Sequence, residues 1–176
     1  MKLNAKQLRK GTGDRLQVTV KKQEIYIVLD NVLDTYNIGS IFRLADAVAA
    51  KKIYLCGETE TPPNHRIKKA SINTTEWVEW QYSPSAKTAI SNLKFQIPNL
   101  QVIAIEQSSK SVQYDKFEYK LPICLVVGHE TNGVSKEVLE IANAIVELPM
   151  FGVNKSLNVM VSLGIVLYKV IEKTQV

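Results

Sequence analysis

Ile123-Cys-Leu-Val-Val-Gly128 is the most apolar short run in the chain, and it opens directly into His129-Glu130-Thr131-Asn132-Gly133-Val134. An uncharged run rich in β-branched residues and closed by glycine reads as a strand buried on both faces. Such strands belong to parallel sheets covered by helices on each side. The rest of the chain repeats this pattern. Glu24-Ile-Tyr-Ile-Val-Leu-Asp30, Lys52-Ile-Tyr-Leu-Cys56, Gln101-Val-Ile-Ala-Ile-Glu106 and 144–148 read as further strands, with a shorter one at 77–82. Between them lie helical stretches. Asn37 is a candidate N-cap for a helix reaching Ala49, with Ile38, Ile41, Ala45 and Val48 on one face. Others are expected near 84–94, 135–142 and 156–172. Alternating strands and helices give the fold class: α/β, a parallel sheet flanked by helices, over 24–176, preceded by a basic arm at 1–23.

The last helix is apolar nearly all round. Leu157, Val161, Gly164, Tyr168 and Ile171 lie on one face and Val159, Leu163, Val166 and Val170 on another. A helix of this kind is covered on more than one side. The second cover is expected to be another copy of the chain, in a two-fold homodimer.

Composition bounds the function. The 176 residues are 45% hydrophobic and 22% charged, as in globular domains. Cys56 and Cys124 each end or follow an apolar run and read as buried thiols. With only His65 and His129, no Cys/His cluster has metal-ligand spacing, so no metal is expected. No apolar run is long enough for a membrane span, and the polar, basic start does not resemble a secretory signal, so a cytoplasmic location is expected. The net charge of +5 favours an anionic partner. Lys2, Lys6, Arg9, Lys10, Arg15, Lys21 and Lys22 crowd the arm, and Arg66, Lys68 and Lys69 form a second group beside His65. Each group suits either a solvated surface or phosphate contact.

Three loops follow strands, where open α/β sheets place their ligands. In the first, Asn37, Gly39 and Ser40 stand at the expected helix start, a ready anion site, with Arg43 about two turns in. A plain capped helix with a surface arginine is the alternative reading. In the second, Gly128 and Gly133 bracket a polar tetrapeptide, so the backbone can approach a flat ligand; an ordinary strand-to-helix turn would look the same. In the third, Leu148-Pro-Met-Phe-Gly152 leads to Ser156, a candidate cap for the last helix, and Asn158. No dinucleotide fingerprint, phosphate-loop lysine motif or serine nucleophile elbow occurs.

Together the loops resemble the three motifs of the SpoU/TrmH family of RNA ribose methyltransferases, in the family's order: Asn37-x-Gly39-Ser40-Ile-x-Arg43, Gly128-x-Glu130-x-x-Gly133-Val, and Leu148-Pro-Met150 followed by Ser156-Leu-Asn158-Val. One departure is Met160, where the family usually carries serine. The resemblance implies a C-terminal deep trefoil knot, a homodimer and S-adenosylmethionine as cofactor. It implies cofactor contacts at Ala104, Ile105, Glu106, Gly128, Leu148, Met150, Ser156 and Leu157, and active-site roles for Arg43, Asn37, Glu130, Ser156 and Asn158. The expected activity is methyl transfer to a ribose 2′-hydroxyl of RNA, with tRNA as substrate and rRNA as the alternative. Lys6, Arg9, Lys10, Arg15, Arg43, Arg66 and Lys68 become candidate RNA contacts. A guanidinium is a poor base, so Arg43 is expected to anchor a phosphate and stabilise the forming alkoxide. His129 is the one histidine near the site, either a base or a loop brace. A non-catalytic RNA-binding member of the family is the rival reading.

Overall fold

The computed structural model describes residues 20–174. The arm residues Lys6, Arg9, Lys10 and Arg15 lie outside that range. Seven strands form one sheet: β1 (Gln23–Asp30), β2 (Ala50–Cys56), β3 (Trp80–Ser83), β4 (Gln101–Ile105), β5 (Val112–Gln113), β6 (Ile123–Gly128) and β7 (Ala144–Glu147). Every pairing is parallel, in the order β3-β2-β1-β6-β4-β7-β5. The helices are α1 (Thr35–Ala47), α2 (His65–Ser71), α3 (Ala86–Gln96), α4 (Lys136–Ile141) and α5 (Val159–Thr174), with a 3-10 turn at Thr74–Glu76.

Alternation along the strands builds two cores. Ile25, Ile27, Leu29, Ile103, Ile105, Leu125 and Val127 point to the face covered by α1 and α5. Tyr26, Val28, Val102, Ala104, Cys124 and Val126 point to the face covered by α3 and α4. Because side chains alternate with period two, neighbouring residues serve opposite layers. Both cysteines are buried; desolvation pushes the Cys56 thiol up to about 12 and raises that of Cys124 as well, so neither is a thiolate near neutral pH.

Three expectations shift. The first helix begins at Thr35, because Asp34 caps it: its carboxylate accepts from the backbone N–H groups of Tyr36 at 2.7 Å and Asn37 at 3.2 Å. Asn37 is therefore inside the first turn, and the N–H groups that an anion was expected to occupy already have a protein partner. The last helix begins at Val159, capped by Asn158, whose Oδ1 accepts from Met160 N at 2.9 Å; Ser156 stands outside it. Gly39 serves helix packing, since a Cβ there would lie 2.6 Å from the Ala70 Cβ on α2.

The α5 faces divide as the periodicity requires. Leu163, Val166, Leu167 and Val170 are buried in the α1/α5 core, while Val161, Ile165 and Tyr168 remain exposed. Leu33 and Tyr36, at the start of α1, are also exposed. The two helices meet where the Leu44 side chain passes Gly164. Among the described residues no helix is long and apolar enough to cross a membrane.

Candidate functional site

The strand order explains how distant loops meet. β6 lies between β1 and β4, and β7 borders β4. In a parallel sheet all C-terminal ends share one edge, so the loops after β1, β4, β6 and β7 collect there.

The tightest part is the turn after β6. His129 N donates to Gly133 O at 3.1 Å and Gly133 N donates to His129 O at 2.8 Å. This pairing folds the turn back so closely that a Cβ on Gly128 would sit 2.2 Å from both the carbonyl carbon and oxygen of Gly133. Gly133 itself has φ +69°, in the left-handed region, and a Cβ there would meet the Glu106 carboxylate. Glu106 braces the turn: its Oε2 accepts from Val134 N at 2.8 Å and its Oε1 from Gln107 N at 2.8 Å. His129 Nδ1 accepts from the N–H groups of Thr131 at 2.9 Å and Asn132 at 3.3 Å. With Nδ1 engaged in this way, the ring braces the loop.

A polar chain links this turn to the other two loops. The Asn158 Nδ2 donates to Asn37 Oδ1 at 3.0 Å, and Asn37 Nδ2 donates to Glu130 Oε1 at 3.1 Å. Glu130 also accepts from Leu33 N at 3.1 Å and Asp34 N at 3.0 Å. Burial alone would raise the Glu130 carboxyl, but the backbone N–H groups of Asp34 and Leu33 and the Asn37 amide outweigh it and hold the pKa below its ordinary value. A depressed folded-state pKa contributes stability that is complete above the ordinary value of 4.5 and is lost as pH falls through the lowered one. Wild type is therefore expected to be more stable than Glu130→Gln at neutral pH and to surrender that margin progressively below pH 4.5, as read from urea melts across the acid range.

These loops enclose a cavity of about 360 Å³. Ile105, Glu106, Gly128, Leu148, Met150, Ser156 and Leu157 line it, and Glu130 and Asn158 reach its edge. Ala104 does not: it points into the α3/α4 core, as strand alternation demands of the residue before Ile105. Asn37 touches the site through Glu130 and Asn158. Arg43 is exposed on α1, six residues beyond Asn37, so about 9 Å further along the helix axis. It lines no part of this chain's cavity and makes no ion pair or side-chain hydrogen bond among the described residues. Arg66 and Lys68 are exposed on α2, well apart from the cavity lining. Sequence reading missed Glu147, which lines the cavity with Ser111 Oγ donating to its Oε2 at 2.7 Å. Its signal was its place as the last strand residue before Leu148-Pro149.

The cavity suits a cofactor with an adenosyl group. Its volume falls in the small-ligand range of roughly 300–1,000 Å³. Ile105, Val127, Val146 and Leu148 give apolar walls, the glycine turn lets a flat ring approach the backbone, and the Glu106 and Glu147 carboxylates give negative charge beside it. Among the described residues no three His, Cys, Asp or Glu side chains are grouped to hold a metal ion.

Comparison with known proteins agrees with this geometry. The model of the SpoU rRNA Methylase family matches residues 24–168. A curated tRNA (guanosine(18)-2′-O)-methyltransferase of Aquifex aeolicus is 35% identical over 158 residues, covering 87% of this chain and 72% of that protein. The crystal structure of the A. aeolicus TrmH/SpoU tRNA modifying enzyme superposes with a TM-score of 0.79 at 30% identity, covering 96% of this chain and 81% of that one. An AdoMet-bound rRNA methyltransferase from Sinorhizobium meliloti gives a TM-score of 0.78 at 29% identity, over 94% of this chain and 59% of that longer one.

Proposed function

Because the chain belongs to the SpoU rRNA methylase family, we propose that it transfers the methyl group of S-adenosylmethionine to a ribose 2′-hydroxyl of RNA, with tRNA as the substrate. The observation that carries this reading is the cavity built on the Gly128–Gly133 turn, with the Glu130–Asn37–Asn158 chain at its rim. Bound there, the cofactor supplies an electrophilic methyl carbon. Ile105, Leu148, Met150 and Leu157 would hold its adenosyl part, with Gly128 and its neighbours offering backbone groups to the ring. Glu106 and Glu147 would favour its positive charge.

The protein's task is then to align a poor nucleophile. Glu130 keeps its charge through the N–H groups around it, and it fixes the Asn37 amide, which in turn fixes Asn158. A rigid polar rim of this kind lowers the entropic cost of placing the ribose hydroxyl, worth up to roughly 7–11 kcal/mol in well-aligned reactions. Ser156, exposed at the rim, is a hydroxyl within the same wall. Arg43 is the cation that meets the phosphate beside the target ribose and stabilises negative charge on the 2′-oxygen. Arg66, Lys68 and the arm residues Lys6, Arg9, Lys10 and Arg15 contact the RNA further out. The reading includes the family's trefoil knot. It also includes a homodimer in which Leu33, Tyr36, Val161, Ile165 and Tyr168 are covered by a second copy, with Arg43 acting from that shared side.

Incubating the chain with labelled cofactor and total RNA, then mapping the modified nucleotide, tests the activity. Label on a tRNA ribose is the expected result. Label on ribosomal RNA alone would move the substrate to the alternative class. Cofactor binding by calorimetry without any transfer would favour the binding-protein reading. The dimer has its own test: Val161→Asp places a charge in the shared face, and light scattering at micromolar concentration is expected to show the mass halved relative to wild type.

A further inference from the structure

A second cavity, of about 430 Å³, shares no lining residue with the cofactor cavity. It lies at the sheet's outer edge, where Trp80 opens β3, and strands β2 and β1 separate that edge from β6. Pro62 and Pro63 form one wall and His65 and Lys68 of α2 another, with Glu76 and Trp80 among the remaining lining residues. None of these positions has a role in the transfer chemistry. Trp80, partly buried against the α1/α5 core, also lines this cavity beside the two prolines, and an aromatic ring is a surface on which unstacked bases rest. Lys68 Nζ lies 3.3 Å from Glu76 Oε1, and both side chains are more than half exposed, at 62% and 52%. A solvent-exposed pair of this sort is held weakly, so each partner is open to exchange with a ligand. Arg66 and Lys69 stand exposed on the same short helix, giving positive charge for a phosphate beside the opening.

The Glu76–Lys68 pair presents two acceptor oxygens next to an ammonium donor. Guanine alone among the RNA bases carries two adjacent donors, N1–H and N2–H, beside an acceptor, O6. We propose that this cavity takes an unpaired guanosine of the RNA substrate, a nucleotide other than the one methylated, with the base against Trp80 and its Watson–Crick edge on Glu76 and Lys68. The assignment rests on the reading of the chain as an RNA methyltransferase and adds a second recognition point on that RNA.

The test is an NMR titration of the full chain with millimolar GMP, AMP, CMP and UMP, in saturating S-adenosylmethionine so that the first cavity is filled. GMP is expected to shift the Trp80 indole and the His65 and Lys68 resonances at concentrations at least tenfold below AMP. Glu76→Gln replaces one acceptor by a donor and is expected to abolish that preference while leaving cofactor affinity unchanged. Equal responses to GMP and AMP, shifts confined to residues outside this cavity, or a preference that survives Glu76→Gln would overturn the proposal. Selective GMP binding here by a protein that methylates no RNA would support the cavity's role and overturn the methyltransferase reading instead.

Discussion

Replacing Arg43 by Ala is expected to lower methyl transfer about 100- to 1,000-fold, the usual cost of losing one group that stabilises developing negative charge. The structure makes the two readouts separable. Arg43 is exposed and makes no side-chain hydrogen bond or ion pair among the described residues, so its removal opens no cavity and strands no partner. Stability should move by no more than about 0.5 kcal/mol, as for most surface substitutions. Cofactor affinity should also hold, because Arg43 is absent from the cavity lining. Arg43→Lys keeps the charge but not the planar fork that grips a phosphate, and an intermediate rate is expected. Turnover is measured with labelled cofactor and a transcript that wild type modifies, with melting curves run in parallel. Undiminished turnover in Arg43→Ala would remove the residue from the mechanism.

Gly128→Ala is expected to produce the largest loss of stability together with loss of cofactor binding. The added methyl would sit 2.2 Å from two backbone atoms of Gly133, and backbone on both sides cannot rotate away as a side chain would. Either the His129–Gly133 pairing opens or β6 shifts against its neighbours. We expect a cost on the order of 3 kcal/mol, at the upper end for overpacking. That corresponds to roughly 6–12 °C in Tm for a chain of this size. Gly152→Ala is the matching control: nothing lies within 4 Å of its Cβ position, although it sits in the loop joining Met150 to Ser156. Calorimetric titration with S-adenosylmethionine should find no binding to the first variant and near-normal binding to the second. Normal affinity in Gly128→Ala would mean that the turn is not the cradle.

The strands were legible because burial on both faces leaves a dense apolar signature. Ile123–Gly128 and Gln23–Asp30 stand within a residue of their expected limits. Two elements left no such mark. In α2 only Ile67 and Ser71 are buried, so seven residues rich in charge carry no apolar stripe. β5 is two exposed residues at the sheet's edge. Helix starts moved by a few residues where two good caps compete, as Asp34 does with Asn37 and Asn158 with Ser156. Ala104 and Ile105 are neighbours within β4, so period two turns the Ala104 side chain away from the cavity that Ile105 lines. The convergence of the loops was a different matter. It depends on β6 lying between β1 and β4, a long-range pairing that no local pattern encodes, and family resemblance supplied it. The Glu130–Asn37 bond, across 93 residues of chain, is equally invisible to any sequence window.

Those same long spans set a timetable for the newly made protein. Asn37 finds Glu130 only after 93 further residues have been added, and Asn158 only after 121. A polypeptide grown only a little past Glu130 has both partners of the Asn37–Glu130 bond but lacks Asn158, the last member of the polar rim. At a synthesis rate of roughly 5–20 residues per second, that gap lasts for seconds. The rim is therefore complete only once the chain has reached the start of α5, however early the sheet forms.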